Sequence, residues 1–149
     1  MIALVTDSAS QIPPGLAERL GVEVVPVGVT IDGRDYREGV DLDPDDFWER
    51  FAGGALPDVA TSQPSPGEIA AVYERALAQG SDEIVSVHVG AEHSGTQNAA
   101  RLAADAIDAP VHLDDSGTAS YGVNCLWWEA AAAVSEGGTA ADAAARVVR

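Results

Sequence analysis

The sequence has 149 residues, 46% of them hydrophobic, which is enough for one domain with a buried core but hardly enough for two. Its formal net charge of −16 at pH 7, with only eight Lys and Arg residues, argues against nucleic-acid binding, because phosphate contacts depend on those side chains. The absence of a signal peptide, of a long apolar run and of a second cysteine predicts a cytoplasmic protein without disulfides or stable membrane insertion.

Short apolar runs alternate along the chain with segments of helical periodicity, and turn or capping signals separate them. In the first half, the predicted elements are a strand at 2–6, a helix at 13–21, a strand at 22–31, a hairpin turn at 32–33, a short helix at 43–54 and a loop at 57–66. In the second half, they are a helix at 65–80, a strand at 83–89, a helix at 94–107, a strand at 110–113 and helices at 118–135 and from Thr139 to the chain end. This order predicts an α/β fold, in which a mostly parallel sheet is the middle layer of a three-layer α/β/α domain.

Polar clusters fall at the predicted carboxyl ends of strands or in adjoining loops, where α/β sheets bind their ligands. The clusters are Thr6-Asp7-Ser8, Thr61-Ser62-Gln63, Ser94-Gly95-Thr96 and Asp115-Ser116. Ser94 is expected at a helix start, where unpaired N–H groups favour an anion, but it is equally compatible with a simple capping role. The hydroxyl groups of the second cluster are turn and cap residues or neutral donors to a carboxylate or phosphate.

Asp7 and Asp115 each follow a strand and precede a serine, so two interpretations are open. A pair of carboxylates could hold Mg²⁺ for an enzyme that acts on a small phosphorylated or carboxylated substrate. We favour the second interpretation, a structural role in which such carboxylates accept hydrogen bonds from loop backbone; the residues concerned are Asp7, Ser8, Asp115 and Ser116. His93 beside Ser94 suggests a nucleophile–base pair but lacks the Gly-x-Ser-x-Gly elbow, and Cys125 is expected to be a buried thiol.

Five segments resemble motifs of the DegV family and follow the family's order. They are VTDSAS, VVPVGVTIDGRDYREGVDL, TSQPSPGEIAAVYERAL, SGT with its Ala-rich helix, and DDSGTASYG. The resemblance implies that residues 1–149 form the N-terminal domain of a protein whose C-terminal α+β domain is absent from this sequence. A long-chain fatty acid would lie between the two domains, and a partner fatty acid kinase would convert its carboxylate to an acyl phosphate. The protein itself would then be a carrier without catalytic residues, metal or cofactor.

The resemblance also implies roles for particular residues. Thr61 and Ser94 correspond to the hydroxyl groups that bind the carboxylate, with Ser62, Gly95 and Thr96 nearby. Apolar character alone suggests acyl-chain contacts at Val27, Val29 and Ile31. The segment at 90–93 departs from the family pattern, because Gly-Ala-Glu-His replaces the serines that many relatives carry. The cation of the site would belong to the absent domain, and an isolated half would expose an apolar face that favours a homodimer. A ligand-free interaction domain is the remaining alternative.

Overall fold

The computed structural model describes residues 1–54 and 56–147, which form an α/β domain. Its strands are β1 (Ile2–Asp7), β2 (Val22–Val25), β3 (Gly28–Ile31), β4 (Arg34–Arg37), β5 (Val59–Ser62), β6 (Glu83–Val87) and β7 (Val111–Leu113). Its α-helices are α1 (Pro14–Leu20), α2 (Pro44–Glu49), α3 (Pro66–Ala78), α4 (Thr96–Ala104), α5 (Tyr121–Ser135) and α6 (Ala140–Val147). A short 3-10 helix (Ser8–Ser10) follows β1 directly.

The central sheet has four parallel strands in the order β2-β1-β6-β7. In its register, Leu4 of β1 lies between Val22 of β2 and Val85 of β6. The inner strands β1 and β6 are buried along almost their whole length, as expected for strands covered on both faces. Because all four strands run the same way, the loops that follow β1, β6 and β7 meet at one edge of the sheet.

Helices cover both faces of this sheet, which confirms the predicted three-layer fold. On one face, Leu4 and Val85 pack with Trp127 of α5 and Ala143 of α6. The other face forms a second core with α3 and α4, whose members include Val5, Ile84, Ile69, Tyr73 and Ala100. Within the described ranges, no helix is both long and apolar enough to cross a membrane.

A second, antiparallel sheet has the order β4-β3-β5, and here two predictions from the sequence were wrong. The strand expected at 22–31, with a bend or an edge position caused by Pro26, is instead divided there into two strands, of which β2 joins the parallel sheet and β3 the antiparallel one. The expected loop at 57–66 contains β5, which pairs with β3. Four residues flanked by prolines carry too little pattern to reveal a strand whose main stabilisation is pairing with a distant segment.

Two details of the second half also differ from expectation. Helices α4 and α5 begin two to three residues later than predicted, at Thr96 and Tyr121. Cys125 was expected to be buried, but it is exposed on α5. The predicted end of the last helix lies in part outside the described residues, which stop at Val147.

Candidate functional site

Asp7 lies at the carboxyl end of β1 and is completely buried. Its Oδ1 accepts a hydrogen bond from the Ala9 backbone N–H at 3.0 Å, and its Oδ2 accepts one from the Val89 N–H at 3.0 Å. His88 Nδ1 lies 3.0 Å from the same Oδ2. Both carboxylate oxygens are therefore engaged in joining the ends of β1 and β6, and the side chain has no exposed surface for a substrate.

The contact between Asp7 and His88 continues into the core as a chain of polar side chains. His88 Nε2 is 2.7 Å from Ser86 Oγ, and the Tyr73 hydroxyl donates to the same oxygen at 2.8 Å. All four side chains are fully buried, so this Ser-His-Asp arrangement has no route to a substrate in this structure. The sequence alone did not reveal this series of hydrogen-bonded side chains, although residues 86 and 88 share a strand face and Tyr73 lies on the apolar face of α3.

Asp115 joins the loops that follow β6 and β7. Its Oδ1 accepts hydrogen bonds from the backbone N–H groups of Ala91 at 3.0 Å and Gly117 at 3.1 Å. Close by, the Gly90 N–H donates to the Thr118 carbonyl at 2.7 Å, and a Cβ on Gly90 would lie only 2.8 Å from Thr118 N. The loop at 90–93, which departs from the family pattern, is thus held by backbone contacts.

The remaining two residues of the predicted structural set, Ser8 and Ser116, also contact loop backbone. Ser8 Oγ accepts from the Val27 N–H at 2.9 Å and donates to Glu38 at 2.6 Å. Ser116 Oγ donates to the Thr118 carbonyl at 3.3 Å. Among the residues that the structure describes, no group of three or more His, Cys, Asp or Glu is placed to hold a metal ion.

Ser94 lies just before α4, with its hydroxyl oriented by Thr96. Their oxygens are 2.9 Å apart, and the Thr96 N–H also donates to Ser94 Oγ at 3.2 Å. Thr96 is fully buried whereas Ser94 is half-buried, so the inner hydroxyl supports the outer one. This arrangement leaves Ser94 at the surface of the edge where the strands end.

Thr61 and Ser62 lie on β5 and point to opposite faces of the antiparallel sheet. Thr61 pairs with Val29 and is exposed, whereas Ser62 pairs with Gly28, where a Cβ would lie 2.3 Å from Ser62 Oγ. The structure therefore does not bring these two neighbouring hydroxyl groups to one side. Ser62 faces the sheet side that also carries Arg37, the residue paired with Gly28 across β4.

The three residues predicted to contact an acyl chain are already largely covered. Val29 and Ile31 are 7% and 2% exposed and pack with Tyr36 and Leu42 under the antiparallel sheet. Val27 is half-buried beside Ser8. The apolar surface of Val29 and Ile31 therefore contributes mainly to this small core.

Gln63 brings the loop after β5 against the start of α4. A Cβ placed on Gly95 would lie 1.9 Å from Gln63 Oε1 and 2.7 Å from its Cδ, so the amide lies against the glycine with its oxygen nearest. Thr61 precedes Gln63 by two residues and Ser94 precedes Gly95 by one. The contact therefore brings the segment that follows Thr61 of β5 against the helix start that follows Ser94.

Comparison with known proteins identifies the relatives of this fold. The family model described as "Uncharacterised protein, DegV family" matches residues 1–149. A DegV domain-containing protein of Mycobacterium tuberculosis is 38% identical over 151 residues, which cover 99% of this chain and 51% of that protein.

Two solved structures are similar over 99% of this chain. One is a DegV family protein from Thermus thermophilus whose structure is described as showing fatty acid binding. It is 38% identical to this chain with a TM-score of 0.87, and the match covers 52% of its length. DegV from Bacillus subtilis, described as a fatty acid binding protein, is 30% identical with a TM-score of 0.90 and is also covered to 52%. The chain thus spans about half the length of the relatives it matches.

Proposed function

This chain belongs to the DegV family, and we propose that it binds a long-chain fatty acid through the carboxylate, using the hydroxyl groups of Thr61 and Ser94. The observation that carries this proposal is the contact of Gln63 with Gly95, since Gln63 follows Thr61 by two residues and Gly95 follows Ser94 by one. The description of two similar structures by fatty acid binding supplies the class of ligand and favours a binding protein over an enzyme.

The hydroxyl groups at this edge of the parallel sheet are suited to bind a carboxylate. Hydroxyl groups are neutral donors, and hydrogen bonds from them to an ionised oxygen are shorter and stronger than bonds between neutral groups. Two carboxylates at this edge, Asp7 and Asp115, have oxygens engaged by backbone N–H groups. Their charge is therefore partly compensated, which reduces its repulsion of an anionic head group.

The acid would continue from this chain into a second domain. We place residues 1–149 as the N-terminal domain of a two-domain cytoplasmic carrier, because the relatives are about twice as long. The second domain would cover the acyl chain and supply a cation to the carboxylate. A partner kinase would then transfer the terminal phosphoryl group of a nucleoside triphosphate to a carboxylate oxygen of the acid, which forms an acyl phosphate and releases the nucleoside diphosphate. This step rests on the motif resemblance alone.

The binding proposal is tested by equilibrium dialysis of the delipidated chain against micromolar radiolabelled palmitate. We expect binding that falls about tenfold or more in Thr61→Val and in Ser94→Ala, because each removes one hydrogen bond to a charged group, worth about 1.5–3 kcal/mol. Ser135→Ala is the matched control, since this exposed serine lies at the far end of α5 and donates to the Ala132 carbonyl. Equal palmitate binding by all variants, or absence of palmitate binding both by this chain and by a form that includes the second domain, would contradict the proposal.

A further inference from the structure

Gly95 is a glycine for reasons of space rather than of backbone conformation. Its φ of −75° and ψ of 1° lie in a region that other residues adopt. The space where a Cβ would stand is instead filled by the Gln63 amide, with Oε1, Cδ and Nε2 at 1.9, 2.7 and 3.0 Å from that point. Only glycine allows this approach without moving the glutamine.

Gln63 is exposed, and its amide does not take part in the hydrogen bonds that join the nearby Ser94 and Thr96. A primary amide has two N–H donors and no charge. In sequence it lies two residues after Thr61, and in space it contacts Gly95, the residue after Ser94. The amide therefore lies near the proposed site and, because Gln63 is exposed, it is accessible to a ligand.

We propose that Gln63 is a third head-group residue, whose amide N–H donates to the carboxylate bound by Thr61 and Ser94. This inference rests on the proposed function and deepens it. The contact with Gly95 holds the glutamine amide near the site before the ligand arrives, so less conformational entropy is lost on binding. The role of Gly95 is to give the amide this position.

The donor role is tested by exchanging the amide for an isosteric carboxylate. The chain is titrated with octanoate and, separately, with 1-octanol, and dissociation constants are read from ¹H–¹⁵N NMR shifts, which report binding even in the millimolar range. In Gln63→Glu we expect octanoate affinity to fall at least tenfold while octanol affinity stays unchanged, because a carboxylate repels the acid but keeps the shape. An equal loss for both ligands, or no loss for octanoate, overturns the inference.

The role of Gly95 in positioning the Gln63 amide is tested by a double-mutant cycle. Gly95→Ala should lower octanoate affinity in the original chain, because the new methyl group displaces the amide, but should have no further effect in the Gln63→Ala background. Gly67→Ala, in the first turn of α3 with no atom within 4 Å of the new Cβ, is the control for a glycine-to-alanine change. The same loss in both backgrounds would show that Gly95 acts independently of Gln63 and would overturn this role.

The two proposals fail in different ways. If the chain binds palmitate in dialysis but Gln63→Glu binds octanoate as the original chain does, only the inference about Gln63 is wrong. If neither palmitate nor octanoate binds to this chain or to a form that includes the second domain, the proposed function is wrong and the role of Gln63 falls with it.

Discussion

The buried polar side chains between α3 and β1 have a definite hydrogen-bond direction. The Tyr73 hydroxyl donates to Ser86 Oγ, so the single proton of Ser86 is available for His88 Nε2. The His88 Nδ1–H then donates to Asp7, whose other contacts are backbone N–H groups. Each member therefore has a partner, as the burial of polar groups in a protein core requires. These hydrogen-bonded side chains connect α3 to the strand ends that carry the candidate site.

The ionisation of Tyr73 predicts how the stability of the folded protein changes at high pH. Burial raises the pKa of Tyr73 to about 12 from 10.0, and the hydrogen bond with Ser86 offsets only part of that rise. The folded protein therefore holds this proton more tightly than the unfolded chain does. The resulting stability is complete below pH 10 and is lost as the pH rises towards 12.

Replacing Tyr73 by phenylalanine should remove this pH dependence. At neutral pH, Tyr73→Phe is expected to cost about 1 kcal/mol of unfolding free energy, since one buried hydrogen bond is lost. Above pH 10 that disadvantage should shrink, because only the original chain loses stability through Tyr73 ionisation. Urea denaturation at a series of pH values measures both effects, with the exposed Tyr121→Phe as control. Parallel pH profiles for the original chain and Tyr73→Phe would show that this interpretation is wrong.

Individual elements differ in how far the sequence predicts them. The strands β1 and β6 and the helix α3 are predicted well, because burial on both faces or an amphipathic face leaves a periodic pattern. Strand β5 is missed because its pairing with β3 depends on a distant segment. Helix α5 is predicted as a helix, but the sequence does not show which of its faces is buried. The helix is rich in alanine, and Cys125 and Trp128 lie on its outer side, so its apolar residues do not mark the buried face.

The candidate site shows the same division. Thr61 and Ser94 were indicated by motifs and by position at strand or helix ends, which are local properties. The contact of Gln63 with Gly95 joins loops that are more than thirty positions apart in the sequence, and no local pattern predicts it. The link from Tyr73 to His88 likewise depends on how α3 packs on the sheet.

Helix α3 begins with a capping box, which predicts how the stability of the folded protein changes at low pH. Glu68 accepts hydrogen bonds from the Ser65 backbone N–H at 2.9 Å and from its hydroxyl at 2.8 Å. The backbone bond first, then the hydroxyl bond and the nearby Arg37, hold the pKa of Glu68 below its ordinary value of 4.5. The folded state thus favours the ionised form, and the stability from it is present above pH 4.5 and lost as the pH falls.

Glu68→Gln should therefore be less stable than the original chain at neutral pH, and the difference should disappear in acid. Because Glu68 is about half exposed, with 48% of its side chain accessible, we expect only a few tenths of a kcal/mol. Thermal unfolding between pH 3 and pH 7 followed by circular dichroism measures the difference. Glu74→Gln, an exposed change on the same helix, is the matched control. A difference that persists unchanged at pH 3 would rule out the charge of Glu68 as its cause.

The charge of the whole molecule opposes the binding of an anion. The sequence carries 24 acidic residues against eight basic ones, and several arginines are already paired with carboxylates. These pairs are Arg37–Glu68, Arg75–Glu23, Arg101–Asp105 and Arg146–Glu136. A fatty acid anion that approaches this surface therefore meets a net repulsion, and local hydrogen bonds from neutral donors must overcome it.

This balance predicts an unusual dependence of binding on salt. Raising the ionic strength from about 0.01 M to about 0.1 M shortens the Debye length from about 30 Å to about 10 Å and screens the repulsion between the chain and the anion. Octanoate affinity should therefore rise severalfold over this range, whereas the affinity for uncharged 1-octanol should stay constant; NMR titration of both ligands at each salt concentration measures the change. A site built on unpaired cations would behave in the opposite way, because salt weakens attraction between opposite charges. A fall in octanoate affinity with salt would thus contradict a head-group site made of neutral hydroxyl and amide donors.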